Sequence, residues 1–439
     1  MDSIRVVNTG SGSLRFTTNP NGYTIGSLEV QGGTLELSAP NSGSNNLTDT
    51  IVNEFKISGG TVYGNATYNF DNVSAYPDTL ILRGNYIQTG GTFDFTNRPS
   101  GLLPGGSFVM TAKGNVTQTA GTITATQGFG AQNQLTMSGT TMQNLDIKTL
   151  TGTITFTINN TAGVDLKNNL SLPYFLQLLK GYLQINNYDV TVASTQLTQA
   201  SVSPKPRIVT NGFGKLIITN IGNGGLQTYP VAPFVNGYNP VTIANGEATA
   251  KTFKVRVEYG ITPSAASIDL NKVVNRTWTI NSTTPVTPNN ISVKFSYADT
   301  EKVVSSTLNP AAAMELGHFT GSWNVDPPGN LTPTGGPVNY AVGSFTPAAL
   351  DSSFVIGNIG FIAAAITQYV FNGTGNWNIT SNWLNNTIPP NPLPSGAEII
   401  IDPFSGDCIL NIPQTISPGG KITVMSGKNL LLPTYLNLQ

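Results

Sequence analysis

The sequence contains little charge and almost no cysteine or histidine. Among its 439 residues are one cysteine, Cys408, and one histidine, His318, and charged residues make up 10% of the chain. A lone cysteine excludes an intrachain disulfide, and one histidine with one cysteine cannot supply the ligands of a structural zinc site. The net charge of −1 comes without any basic block, whereas nucleic-acid binding requires a positive patch. We therefore expect neither a cofactor nor a nucleic-acid partner.

Long apolar segments are also missing. The sequence has no run of about eighteen apolar residues, the length that a membrane-spanning helix needs, so we expect no membrane insertion. The first ten residues lack the charged and apolar regions of a secretion signal. Both ends of the sequence lie inside strand-like patterns. We interpret the chain as a piece of a longer extracellular protein.

Glycine is abundant, and six glycines belong to copies of one short motif. In each copy the glycine is followed by Thr or Tyr and then by an apolar residue. The copies are about thirty residues apart, a period typical of stacked supersecondary units. The six glycines are Gly33, Gly60, Gly91, Gly121, Gly152 and Gly181. Glycine suits a corner between two strands because it tolerates positive φ and close backbone approach.

Two further apolar positions accompany every glycine. The residues two places after it are Leu35, Val62, Phe93, Ile123, Ile154 and Leu183. The residues five places before it are Leu28, Phe55, Tyr86, Val116, Ile147 and Leu176. Each copy therefore predicts a strand, a corner and a second strand with one buried face, and a stack of such units makes a continuous core. This pattern predicts a parallel β-helix-like solenoid over residues 1–204, with the atypical segment 160–180 as its capping unit.

The acidic residues of this region do not keep one register. Glu36 and Asp94 share an offset three places after their glycines, but Tyr63 occupies that offset in the copy between them. Glycoside hydrolysis needs two carboxylates that face one cleft. We therefore predict a structural repeat and not an enzyme. A carbohydrate-active β-helix is the alternative, and it rests on fold analogy alone.

The rest of the chain divides into two further segments. Residues 205–366 are predicted to form an immunoglobulin-like β-sandwich, because strand-like runs alternate there with segments rich in Pro, Gly and Asn. The runs are 215–219, 253–259, 276–280, 291–297 and 353–357. The composition changes again from about Gln368, and short alternating strands with glycine corners return from Cys408. This predicts the start of a second β-solenoid or a small β-module over residues 367–439.

Three segments carry a resemblance to a known group of proteins. They are GNWNITSNWLNNTIPPNPLPSGAEIII from Gly375, TYPVAPFVNGYNPVTIANG from Thr228 and VVNRTWTIN from Val273. Each resembles part of the large modular, adhesin-like surface proteins of Bacteroidetes that are secreted by the type IX secretion system. The resemblance implies sandwich modules that alternate with β-helical repeats, a location at the cell surface and contact with the type IX secretion machinery. It implies no catalytic residues.

Three pairs of residues are candidates for binding or modification. Trp377 and Trp383 are candidate glycan contacts, because aromatic faces bind sugars; the alternative is that they pack the start of the last module. Thr50 and Thr79 each follow an aspartate and precede an aliphatic residue, a pattern that resembles the O-glycosylation sites of Bacteroidetes proteins.

The third pair, Asp402 and Asp407, is a weak candidate for calcium ligation. Calcium prefers carboxylate and carbonyl oxygens, but the same Asp, Pro, Ser and Gly residues also form plain turns. His318 has no accompanying GxSxG motif and is interpreted as a strand or turn residue.

These observations favour a non-enzymatic, extracellular fragment of a bacterial cell-surface protein, either a stalk or an adhesin repeat region. In this interpretation the solenoid supplies length and stiffness, and the sandwich joins or presents it. Surface glycans are the expected partners of its uncharged polar surface. The alternative is a carbohydrate-binding or carbohydrate-active β-helix protein.

Overall fold

The chain is all-β throughout the part that the structure describes. This computed structural model describes residues 2–17, 22–39, 48–65, 78–96, 107–126, 133–263, 267–287, 290–302, 306–336, 339–345, 350–362, 368–394 and 397–438. Two 3-10 turns, Thr380–Asn382 and Leu384–Asn386, are the only helical elements in these ranges. None of the described helices has the length and apolar character needed to cross a membrane. The chain forms two compact units, Met1–Phe361 and Ile362–Gln439.

The first eighteen strands pair with one another in parallel. They are β1 (Ser3–Val6), β2 (Ser13–Thr17), β3 (Thr24–Val30), β4 (Thr34–Ala39), β5 (Thr48–Ile57), β6 (Thr61–Asn65), β7 (Asp78–Leu82), β8 (Asn85–Thr96), β9 (Phe108–Ala112), β10 (Val116–Thr124), β11 (Gln134–Met137), β12 (Gln143–Asp146), β13 (Thr155–Leu166), β14 (Leu170–Ser171), β15 (Leu176–Gln184), β16 (Val190–Ala193), β17 (Leu197–Gln199) and β18 (Arg207–Val209).

Most of these strands belong to three parallel ladders. Ladder A is β7–β9–β11–β13–β15–β17. Ladder B is β1–β3–β5–β8–β10–β12–β13–β15–β18. Ladder C is β2–β4–β6–β8–β10. The long strands β8, β10, β13 and β15 turn a corner and therefore take part in two ladders.

The predicted core and corner positions of the repeat are confirmed. All twelve apolar positions are buried, and all six glycines have positive φ, between 66° and 88°. In the first four copies the glycines also stack on one another. A Cβ atom added at Gly60, Gly91 or Gly121 would lie 2.5 Å from the carbonyl oxygen of the glycine before it in the stack. Only glycine fits this corner, because any side chain would meet backbone.

The repeat is not uniform along the chain. Ladder B pairs Phe55 with Tyr86, about thirty residues away, whereas ladder A pairs Phe156 with Leu176, only about twenty residues away. A Cβ atom at Gly152 would meet the backbone of Ala125, and one at Gly181 would meet Asn160. The expectation that equivalent motif positions lie side by side in neighbouring strands is therefore correct for the first four copies and wrong for the last two. The later turns are shorter, so the same local motif falls at a different corner.

Segment 160–180 does not cap the stack, contrary to the expectation from its sequence. Strand β15 pairs onward with β17 and β18. Ladder B then continues from β18 to a short strand at Val231–Ala232. The parallel stack therefore extends beyond residue 204, because its apolar strands continue at the shorter spacing.

All but one of the remaining strands of the first unit belong to two further sheets, and the exception, Val231–Ala232, ends ladder B. The remaining strands are β19 (Leu216–Ile221), β20 (Leu226–Tyr229), β21 (Val231–Ala232), β22 (Val241–Asn245), β23 (Lys251–Tyr259), β24 (Arg276–Ser282), β25 (Ile291–Tyr297), β26 (Met314–Phe319), β27 (Trp323–Leu331), β28 (Thr334–Gly336), β29 (Asn339–Phe345) and β30 (Ser352–Asn358). One sheet has the order β14-β16-β19-β23-β24-β30-β26-β27 and the other β20-β22-β25-β29-β28. All five strand-like runs expected here are confirmed.

The two sheets contact each other through buried aromatic side chains. Trp278 of β24 and Phe295 of β25 are both buried, and their ring centroids are 5.0 Å apart. Strand β19 pairs in parallel with β16 on one edge and antiparallel with β23 on the other. The eight-stranded sheet is therefore continuous across residue 204, where the sequence predicts a division.

The second unit is a smaller set of parallel strands with its own core. Its strands are β31 (Gln368–Phe371), β32 (Gly375–Asn376), β33 (Glu398–Ile401), β34 (Cys408–Ile409), β35 (Gln414–Ile416), β36 (Lys421–Val424), β37 (Leu430–Leu431) and β38 (Leu436–Leu438). They form the parallel groups β31-β33-β36, β32-β34-β37 and β35-β38. Phe371, Ile399 and Cys408 are among the buried residues of this core.

Candidate functional site

The two tryptophans proposed as glycan contacts lie in the core of the second unit. Both Trp377 and Trp383 are buried. The indole N–H of Trp383 donates a hydrogen bond to the carbonyl oxygen of Trp377 at 2.7 Å, and the two rings meet edge to face with centroids 4.8 Å apart. Neither ring offers a face to a sugar in this arrangement. The burial agrees with the alternative interpretation, in which the two indoles pack the module.

The acids proposed for calcium lie beside a lysine and an asparagine. Asp402 is 3.7 Å from the Nζ atom of Lys428, and Asp407 accepts a hydrogen bond of 2.8 Å from the side-chain amide of Asn429. In the described ranges no three His, Cys, Asp or Glu residues are grouped so that they could hold a metal ion. The structure does not bring these two acids into the set of six or more oxygens that calcium takes.

Thr50 and Thr79 lie within β5 and β7 of the first unit. Both are partly exposed, and the adjacent Ile51 and Leu80 are buried. Successive side chains of a strand point to opposite faces, so both threonines point away from the core. Nothing in this placement tests O-glycosylation, which stays a prediction.

Glu36, Tyr63 and Asp94 form one column of neighbouring strands, as their shared offset predicts. Each carboxylate is buried and has partners of its own. Glu36 is 2.6 Å from the guanidinium of Arg15, and Asp94 accepts a hydrogen bond of 2.6 Å from the hydroxyl of Thr126. Burial, together with these two acids, raises the pKa of Tyr63. Tyr63 separates the carboxylates by two strand spacings, ~9.6 Å, so they do not share one partner.

His318 is a core residue of the eight-stranded sheet. Its ring is buried and stacks on Phe354 with centroids 4.7 Å apart and an interplanar angle of 12°. Its Nδ1 atom lies 3.3 Å from a carboxylate oxygen of Asp326. This packing agrees with the interpretation of His318 as a strand residue.

The outer face of the eight-stranded sheet is polar and contains two clefts. On β23 the buried residues Val255 and Val257 alternate with Arg256 and Glu258, which are partly exposed. The pairing of the strands aligns Arg256 with Thr279 and Thr279 with Ser353. These outward side chains form the floor of a cleft of about 530 Å³, here called the outer cleft.

Aromatic rings stand at the rim of the outer cleft. Phe213, at the turn before β19, is 77% exposed, and the guanidinium carbon of Arg256 lies 5.6 Å from its ring centroid. Arg256 donates a hydrogen bond to the carbonyl oxygen of Gly212 at 3.0 Å and pairs with Glu258 at 2.9 Å. Phe319 also lines the cleft. Arg256 is therefore held in place, and it positions the exposed ring of Phe213.

The floor of the outer cleft carries hydrogen-bonding groups, one of them without a partner. The hydroxyl oxygen of Thr279 is buried and has no hydrogen-bond partner among the described residues. Next to it, the side-chain oxygen of Asn281 accepts a hydrogen bond of 2.6 Å from Lys215. Burial lowers the pKa of Lys215, and the charge of Arg256 lowers it further.

A second cleft lies on the same sheet face, toward the parallel strands. This repeat-side cleft has a volume of about 380 Å³, and its lining includes Ser171, Thr191 and Ile217. The strand pairing places Ser171, Thr191, Ile217, Lys254 and Asn281 in one row across five strands. The row therefore leads from the repeat-side cleft to the outer cleft, a distance of ~19 Å at the usual strand spacing.

Sequence reasoning missed this sheet face. Its side chains come from strands far apart in the chain, and only the sheet pairing brings them together. One local signal was present: Phe213 stands between Gly212 and Gly214. Glycine favours turns, so this pattern predicts a turn at Phe213.

Comparison of the chain with protein-family models, with curated proteins and with solved structures gave no match. The function is therefore inferred from the site and the fold.

Proposed function

We propose that this chain is a non-enzymatic structural and adhesive segment of a bacterial cell-surface protein, exposed outside the cell. In this proposal the parallel β-helix-like solenoid comprises residues 1–204 and continues through β18 and β21. The two further sheets up to residue 366 form an immunoglobulin-like sandwich, and residues 367–439 start a second β-solenoid or a small β-module. The solenoid supplies stiff length, and the sandwich presents a binding surface.

One observation carries the scaffold role. A single cluster of buried apolar side chains runs through the first unit from Val6 to Ile356. Stacked units that share one core behave as a quasi-one-dimensional rod, since each unit contacts only its neighbours. A single shared core of this kind supports a spacer role.

The arrangement of acids supports the non-enzymatic part of the proposal. Glu36 is bound by Arg15 and Asp94 by Thr126, so neither carboxylate is directed at a common point. Glycoside cleavage with retention or inversion needs two carboxyl groups across one sugar bond. The alternative of a carbohydrate-active enzyme predicts new reducing ends when the chain is incubated with polysaccharides, and we expect none.

The surface location is tested on intact cells. An antiserum raised against the purified chain should label unpermeabilised cells that produce the full protein, and a deletion strain should lose both the label and adhesion to a glycan-coated surface. Labelling only after permeabilisation would refute the proposal. Loss of labelling in a strain that lacks the type IX secretion machinery would support the export route that the resemblance implies.

A further inference from the structure

We infer that the outer face of the eight-stranded sheet binds a neutral polysaccharide chain, which lies along the row from Ser171 to Asn281 and ends against Phe213 in the outer cleft. This inference rests on the adhesive role proposed above and assigns it to a site. It replaces Trp377 and Trp383, which are buried, as the candidate glycan contacts.

The shape of this face suits an extended ligand. The two clefts, of about 530 and 380 Å³, lie on one side of one sheet, and each is within the usual range for ligand sites of about 300–1,000 Å³. Ile217 lines the repeat-side cleft and pairs with Lys254, which pairs with Asn281 in the outer cleft. A ligand that fills both clefts must therefore cross the strands.

The chemistry of the face suits hydroxyl groups. Threonine and serine hydroxyls and the asparagine amide both donate and accept hydrogen bonds, as sugar hydroxyls do. The buried hydroxyl of Thr279 has no partner among the described residues, and a buried polar group normally has one. The oxygen is covered in the free chain, so a sugar hydroxyl would supply that partner once the Thr279 side chain turns toward the cleft.

The exposed ring of Phe213 supplies the apolar contact. Phe213 is 77% exposed, and the Arg256 guanidinium beside it restricts its position. A held aromatic ring offers a large contact area at low cost in conformational entropy. In protein–protein interfaces, large aromatic residues are enriched among the side chains that contribute most to binding.

The charges of the face favour a neutral ligand over an anionic one. Its cations are Lys148, Lys215, Lys254 and Arg256, and its anions are Asp189, Glu258 and Asp351. Arg256 is paired with Glu258. Cations and anions are thus near balance, so the face lacks the excess of positive charge that an acidic polysaccharide would require.

The experiment is affinity electrophoresis of the full chain in gels that contain a neutral polysaccharide (xyloglucan, galactomannan or mixed-linkage β-glucan) or anionic polygalacturonate. We expect at least one neutral polymer to retard the chain. Phe213→Ala should weaken this binding about tenfold, and Thr279→Val, which keeps the side-chain shape, should also weaken it. Urea unfolding of both variants should match that of the original chain.

Phe404→Ala is the matched control, since Phe404 is also 77% exposed but lies in the second unit. We expect its binding to be unchanged. Three results would overturn the inference: no neutral polymer binds, binding survives Phe213→Ala, or only polygalacturonate binds. A chain that labels the cell surface but binds no neutral polymer would leave the scaffold proposal intact and refute this inference alone.

Discussion

Gln118 donates a hydrogen bond from its side-chain amide to the side-chain oxygen of Gln88, 3.2 Å away, and both side chains are fully buried. The two residues occupy the same position in consecutive copies of the repeat. The side-chain oxygen of Gln118 also accepts hydrogen bonds from the backbone amides of Lys148 and Thr149, at 2.9 and 2.7 Å. The buried amides therefore bind the backbone of the next turn at a place where strand pairing is interrupted.

Replacing Gln118 with leucine should destabilise the first unit by about 2–4 kcal/mol, because several buried backbone groups lose their partner at once. Urea unfolding followed by tryptophan fluorescence measures the loss. Gln227→Leu, at a partly exposed strand position, should change stability by less than about 0.5 kcal/mol. A Gln118→Leu variant as stable as the original chain would show that these hydrogen bonds contribute nothing net.

The stacked glycines predict a second difference in stability. Gly91 and Gly260 both have positive φ, at 66° and 87°. A Cβ atom at Gly91 would lie 2.5 Å from the carbonyl oxygen of Gly60, but a Cβ atom at Gly260 would meet nothing within 4 Å. Alanine at either position costs about 1–2 kcal/mol for the left-handed backbone. Gly91→Ala should cost a further 1–3 kcal/mol or so for the overlap.

The difference in unfolding free energy between these two alanine variants gives the cost of the close contact at Gly91, because the backbone strain is common to both. Equal urea midpoints for Gly91→Ala and Gly260→Ala would contradict the close backbone contact in the glycine stack.

Asp49 should make the stability of the first unit depend on pH. Burial and the negative charge of Asp78 raise its pKa, a hydrogen bond from the Tyr23 amide opposes them, and together they bring the pKa to about 7. An unfolded aspartate has a pKa of about 3.9, so the folded state binds the proton more tightly. The stabilisation from this proton is complete below about pH 4 and is lost as the pH rises to about 7.

Asp49→Asn keeps the oxygen that accepts the Tyr23 hydrogen bond and removes the titration. The variant should therefore gain stability relative to the original chain between pH 5 and pH 8, as measured by urea unfolding at both values. Asp78→Asn should move the pH range in which stability is lost to lower pH, because it removes the nearby negative charge that raises the pKa of Asp49. Parallel pH profiles for the original chain and Asp49→Asn would show that Asp49 does not titrate in this range.

Cys408 should be unreactive in the folded chain. Its side chain is fully buried, and burial raises the pKa of the thiol to about 12. The thiolate is the reactive species, and at pH 8 almost none is present. An aromatic disulfide reagent should therefore label no thiol in the native chain and one thiol in concentrated urea. Rapid labelling without denaturant would indicate that the core of the second unit opens.

The sequence predicts the interior of the first unit well, because burial follows directly from residue type. Phe93 and Ile154 lie at equivalent motif positions and are both buried. Only Phe93, however, follows a glycine of the stack, Gly91. The motif thus predicts an apolar contact and a corner, but it cannot specify which corner of the turn. That choice depends on the lengths of the connections, which the motif does not contain.

The candidate site could not be predicted, for a different physical reason. Phe213, Arg256 and Ser353 line one cleft but come from separate parts of the chain. Their proximity depends on the order of strands in the eight-stranded sheet, which no local pattern specifies. Trp383 shows the reverse case: its surroundings in the sequence are polar and rich in turns, yet tertiary packing buries it.

Strand β19 has a consequence for how tension would pass along the first unit. It is hydrogen-bonded to β16 on one edge and to β23 on the other. Main-chain hydrogen bonds, and not a flexible linker, therefore join the parallel stack to the antiparallel sheet. A pull that separates them must shear a row of hydrogen bonds together. We expect this junction to be rigid and to transmit force from the parallel strands to the antiparallel sheet, whereas a flexible linker would act as a hinge.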